Sequence, residues 1–150
     1  GYSNQTGLLT EVQSEFSHQW LYNTPYVMDQ PVRNREHVRL LLASIDENLD
    51  WVTFHTLSNP RLFTQAGWRG KGFCVVEVNV PLGGWAQRIL RCGDPAISDI
   101  SSENFGNTEM LEANEQYSTA EAFMLCSLWM DRQIIPEGYT FGPIEGYHLP

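Results

Sequence analysis

The run from Phe73 to Val80, Phe-Cys-Val-Val-Glu-Val-Asn-Val, constrains the fold more than any other stretch of the chain. Side chains alternate across a strand, so Cys74, Val76, Val78 and Val80 share one wholly apolar face. Phe73, Val75, Glu77 and Asn79 share the other. A wholly apolar face belongs against a core, which makes this segment the expected central strand of a sheet. Pro81-Leu82-Gly83-Gly84 supplies a turn and Trp85 to Arg91 a return strand, so 73–91 reads as a hairpin.

Two helical stripes can cover that face. Asn34 reads as an N-cap, and Val38, Leu41, Leu42 and Ile45 follow at i, i+3, i+4 and i+7, predicting an amphipathic helix over 35–47. Ser118-Thr119-Ala120-Glu121 is a capping-box sequence. It opens a second helix with Ala122, Leu125, Cys126 and Trp129 as its stripe, stopped by Ile135-Pro136. Further strands are expected near 17–22, from Trp51 to Leu57 and from Tyr139 to Phe141. Gly1 to Gly7 reads as a loose tail, Arg61 to Gly72 as a glycine-rich loop, and 94–107 as a long surface loop. Together these elements predict a single α+β domain over 1–150, a small, mostly antiparallel sheet packed by two amphipathic helices.

Composition supports a globular chain, with 42% hydrophobic and 18% charged residues among 150. No apolar run reaches the ~18 residues of a membrane span. The charge is lopsided along the sequence. Residues 1–93 carry eight acidic and eight basic side chains, whereas 94–150 carry ten acids against Arg132 alone, which leaves the whole formal −9 there. Such a field repels nucleic acid and membrane phosphates and attracts a basic protein partner. Three cysteines cannot close a disulfide set, so Cys74 and Cys126 are expected reduced and buried, in a cytoplasmic compartment.

Catalytic patterns are sparse. Gly67-Trp68-Arg69-Gly70-Lys71-Gly72 offers close backbone approach, two cations and a stacking face, and so could hold an anion. It fails as a phosphate loop, which needs glycine where Gln65 stands and a hydroxyl residue where Gly72 stands. His18, His37, His55 and His148 show no helical metal spacing, and no CxxC occurs. Neither a metal nor a cofactor is expected. Cys74 with His55 is a nucleophile–base pair that could meet across neighbouring strands, although a thiol in an apolar strand is ordinarily inert. Glu103, Glu109, Glu112 and Glu115 have few cations near them in sequence. They read either as a solvated rim or as an imitation of a phosphate backbone before a basic cleft.

One family resemblance adds to this reading. Tyr117-Ser118-Thr119, a helix bearing Phe123 and Trp129, and then Ile135-Pro136-Glu137-Gly138-Tyr139-Thr140-Phe141 resemble the ending of the Imm1-type immunity proteins. Phe141 stands where that family commonly carries tryptophan. Pro31 to Val38, with Leu41 and Leu42, looks like the family's opening helix, and the likeness extends over 26–145. The resemblance implies an intracellular antidote that binds a cognate toxin, often a nuclease or nucleic-acid deaminase, and blocks its active site. The leading expectation is therefore an inhibitory binding protein. Its interface would be formed by Glu103, Glu109, Glu112 and Glu115 with Trp68, Arg69 and Lys71. Two alternatives stay open: a small-molecule-binding domain or enzyme with a pocket around 61–72, lined by Trp68 and Trp85, and a phage- or effector-type interaction module.

Overall fold

The computed structural model describes residues 16–70, 72–79, 86–92, 97–102 and 109–142. It is an α+β fold in which a seven-stranded sheet has the order β2-β1-β3-β4-β5-β6-β9. The strands are β1 (Trp20–Asn23), β2 (Gln30–Pro31), β3 (Trp51–Thr56), β4 (Phe63–Gly70), β5 (Phe73–Val78), β6 (Gln87–Arg91) and β9 (Tyr139–Gly142). Every pairing is antiparallel. A separate two-stranded sheet joins β7 (Ile97–Ser102) to β8 (Glu109–Glu112).

Both helices lie where the stripes place them. α1 (Arg35–Ala43) is capped by Asn34, whose Oδ1 accepts from His37 N at 2.8 Å. It ends earlier than the periodicity suggests, because Asp46 Oδ1 accepts from Asn48 N and Leu49 N and turns the chain away. α2 (Thr119–Arg132) begins at Ser118, whose Oγ accepts from Glu121 N at 3.2 Å. Only half of the capping box forms, since the Glu121 carboxylate turns to Arg91 and Tyr139 instead. α2 packs on β4 and β5, and α1 packs beside α2.

Val38, Leu42, Leu125, Cys126, Trp129 and Met130 meet Val52, Phe54, Cys74, Val76 and Val78 in one core. Tyr117 docks the start of α2 onto β5 through reciprocal 2.8 Å backbone bonds with Cys74, while its hydroxyl donates to Ile89 O at 2.9 Å. Burial pushes the Cys74 and Cys126 thiols up to about 12, as suits inert core groups.

Two segments expected to be loops are strands. Residues 63–70 form β4, at the centre of the sheet, and the loop expectation fits only its flanks, the turn at Arg61 and Leu62 and the turn at Gly70 and Gly72, two glycines at positive φ. Gly67 belongs in the strand because the Arg69 guanidinium folds over it, so a Cβ there would stand 3.1 Å from Nη1. Within 94–107, residues 97–102 form β7. The expected tail, Val80 and Trp85 lie outside the described residues.

The face of the sheet away from the helices is also partly covered. β7 packs on β4, and the 3₁₀ turn Ala113–Glu115 packs on β6. Val75, Glu77 and Arg88 on this face are buried, while Asn23, Thr53, His55 and Gln65 towards β1 are half-buried. Asn79 departs from the expected alternation. The strand ends before it, and its Oδ1 accepts from Phe63 N at 2.8 Å and from Trp129 Nε1 at 3.2 Å.

Candidate functional site

Strand register builds a polar row across the face that the helices leave. Asn23 lies opposite Thr53, Thr53 opposite Gln65, Gln65 opposite Glu77, and Glu77 opposite Arg88. Directly opposed side chains on one face are close enough to bond, and from Thr53 to Arg88 they do. Thr53 Oγ1 donates to Gln65 Oε1 at 3.1 Å, and Gln65 Nε2 donates to Glu77 Oε1 at 2.7 Å. Arg88 Nη2 reaches Glu77 Oε2 at 3.1 Å and Nη1 reaches Glu115 Oε1 at 3.3 Å, with only 3% of the Arg88 side chain exposed.

The row fixes polarity as well as position. A carboxylate accepts hydrogen bonds and does not donate them. Glu77, which accepts from the Arg88 guanidinium, therefore draws the amide NH2 of Gln65, and the carbonyl oxygen turns the other way, towards Thr53. The order from Arg88 to Thr53 follows from that one constraint.

At the β1 end of the row lies a pocket of about 320 Å³. Asn23, Asp29, Thr53, His55 and Gln65 are its polar lining, and Pro60 and Phe63 its apolar wall. Asp29 belongs to the β1–β2 turn and adopts φ 53°, a left-handed conformation that Asp and Asn tolerate better than most residues. Asn23 Oδ1 accepts its backbone N–H, which fixes the orientation of that amide too. The Asp29 carboxylate stands 3.3 Å from His55 Nε2 and is 62% exposed, at the rim.

The same turn carries an exposed apolar surface. Thr24 Oγ1 accepts from Tyr26 N and Val27 N, and Tyr26 OH donates to Asn48 O at 2.7 Å, so the turn is tied at both ends. Tyr26 nevertheless remains 70% exposed and Met28 73% exposed. An aromatic ring held in place and left in water favours contact with another surface, because little conformational freedom is lost when it docks.

The residues expected to form an interface do not assemble into one site. Trp68 packs at the edge of the core, and Arg69 Nη1 donates to Trp68 O at 2.8 Å. Neither lines the pocket, which sits at the Phe63–Gln65 end of β4. Glu115 joins the polar row through Arg88. Glu109 and Glu112 lie on β8, opposite Ser102 and Ile97 in the register. Glu103 and Lys71 fall outside the described residues. His55 and Cys74 do not meet: β4 separates their strands, and Cys74 belongs to the core on the helix side.

Sequence reading missed Asn23, Asp29, Thr53, Gln65, Glu77 and Arg88 as a group. The available signal was the polar alternation of Thr53 and His55 in a β-rich run, but treating 61–72 as a loop hid Gln65, the link between them and Glu77. Among the described residues no cluster of three or more His, Cys, Asp or Glu has metal-site geometry, and no helix is long and apolar enough to cross a membrane. Comparison with protein-family models, with curated proteins and with solved structures gives no match in any of the three.

Proposed function

We propose that the chain is an inhibitory binding protein of the immunity type, which neutralises a basic cognate toxin by occluding its active site. The observation that carries this reading is that the tied β1–β2 turn exposes Tyr26 and Met28 and also gives Asp29 to the polar pocket. Anchors of this kind, an aromatic and a flexible apolar side chain, are the usual centre of a protein interface. The net charge of −9 favours a partner with a cationic surface, which toxins acting on nucleic acid must present to phosphate. The likeness of 26–145 to Imm1-type immunity proteins points the same way.

The test uses the product of the reading frame adjacent to the gene for this chain. The two proteins should form a complex, and the chain should restore growth to cells expressing that product. An adjacent product that neither binds nor harms cells overturns the reading. A small-molecule ligand is the second reading, favoured by the pocket itself, whose volume is at the lower end of the range for such sites, roughly 300–1,000 Å³. It would show as saturation of the pocket by a metabolite, with no complex formed.

A further inference from the structure

We propose that the pocket between β1, β3 and β4 is a receptor for one arginine side chain of the partner, an inference that rests on the binding reading above. Its polarity is the argument. Gln65 presents its carbonyl oxygen on the pocket side because Glu77 holds its NH2. Asn23 directs Oδ1 into the turn because it accepts the Asp29 N–H. Asp29 adds a carboxylate at the rim. With the Asn23 oxygen engaged in the turn, the Gln65 amide oxygen and the Asp29 carboxylate are the acceptors offered to this depression, and the Gln65 oxygen has a second lone pair beyond the bond it accepts from Thr53. A group rich in N–H donors and positively charged satisfies such a set, whereas an anion meets the Asp29 charge.

Guanidinium fits better than ammonium for two reasons. Its planar fork pairs with a carboxylate and an amide oxygen at the same time. Its flat faces stack on apolar and aromatic walls, and Pro60 with Phe63 supplies one here. The β1–β2 turn that gives Asp29 to the depression also carries the exposed Tyr26 and Met28, so an arginine paired with Asp29 would share a contact surface with them. The overall −9 brings a basic surface to it.

The probe is N-acetyl-arginine methylamide, compared with its citrulline counterpart, which is nearly isosteric and uncharged. Binding is followed by the NMR signals of Asn23, Asp29 and His55 in the full chain. The arginine compound should shift these signals saturably, with a fragment-scale Kd on the order of 1–10 mM. The citrulline compound should bind at least about tenfold more weakly, the usual loss for a charged hydrogen bond. Asp29→Asn should cost the arginine compound a similar factor. That variant retains the left-handed turn, because asparagine also tolerates positive φ and the backbone bond to Asn23 is untouched. Equal binding of the two compounds, preference for N-acetyl-glutamate methylamide, or no shift at these residues would each overturn the proposal. The outcome is separable from that of the binding reading. A chain that binds its adjacent gene product while ignoring the arginine compound sinks only the receptor. A pocket that takes the arginine compound in a chain without a protein partner sinks only the immunity function.

Discussion

Arg88 stands between two carboxylates with almost none of its side chain in water, and this decides what its removal would do. Burying an ion pair gains little net stability, because desolvation offsets attraction, but stripping one partner leaves a charge in low dielectric. Arg88→Met should therefore cost about 3–5 kcal/mol, read from urea unfolding. The double variant Glu77→Gln with Arg88→Met should recover part of that loss, because the more deeply buried of the two carboxylates is then neutral while Glu115, 16% exposed, keeps its charge. Glu121 behaves differently. Burial pushes its carboxyl up, but hydrogen bonds from Arg91 and Tyr139, with the Arg91 charge, outweigh burial and hold it below the ordinary 4.5. A carboxyl depressed by folding contributes stability above its unfolded pKa and loses it as pH falls through the folded one. The wild-type chain should lose stability from Glu121 below about pH 4.5. In Arg91→Met that part of the slope should shrink, since only the Tyr139 hydrogen bond then opposes burial. Urea midpoints measured from pH 6 down to about pH 3 would check it.

At the scale of elements, the hydrophobic pattern was enough wherever one face of a segment was wholly apolar. The helices and the central strand follow from Val38, Leu42, Leu125, Cys126, Val76 and Val78, all of which enter the core. Leu42→Ala should cost about 2–5 kcal/mol, because α1 has little else with which to fill the space under it, and thermal or urea unfolding would measure the loss. Pattern reading failed on strands with mixed faces. β4 carries Gly67, Arg69 and Gly70, which read as loop residues in isolation, yet Ala66 and Thr64 are fully buried and β3 and β5 pair with both of its edges. The candidate site was less legible for the same reason. Its row consists of residues at least eleven apart in sequence, and only the strand register brings them side by side. A hydrogen-bond chain that crosses four strands leaves no local periodicity to detect.

For the whole molecule, the segregation of charge along the sequence is partly undone in space. Glu115, Glu121 and Asp131, from the acidic part, pair with Arg88, Arg91 and Arg35. Neutralising Glu115 would accordingly test stability before association, which leaves Asp29 as the better acid for a kinetic test. The net −9 survives these pairings and sets a long-range field. Association with a basic partner should therefore slow as salt shortens the screening length, to about 8 Å at physiological ionic strength. Long-range charge acts on the encounter and local packing on the lifetime of the complex, so two variants should separate them. Asp29→Asn removes one rim charge: the on-rate should fall and its salt dependence flatten slightly. Tyr26→Ala removes an exposed ring and no charge. Its on-rate should stay within about twofold, while the off-rate rises roughly thirtyfold if the ring is a hot spot worth about 2 kcal/mol. Stopped-flow kinetics with the adjacent gene product at several salt concentrations would read both constants. An off-rate unchanged in Tyr26→Ala would place the contact elsewhere on the chain, even if association still slowed with salt, because charge steering alone does not say which surface docks.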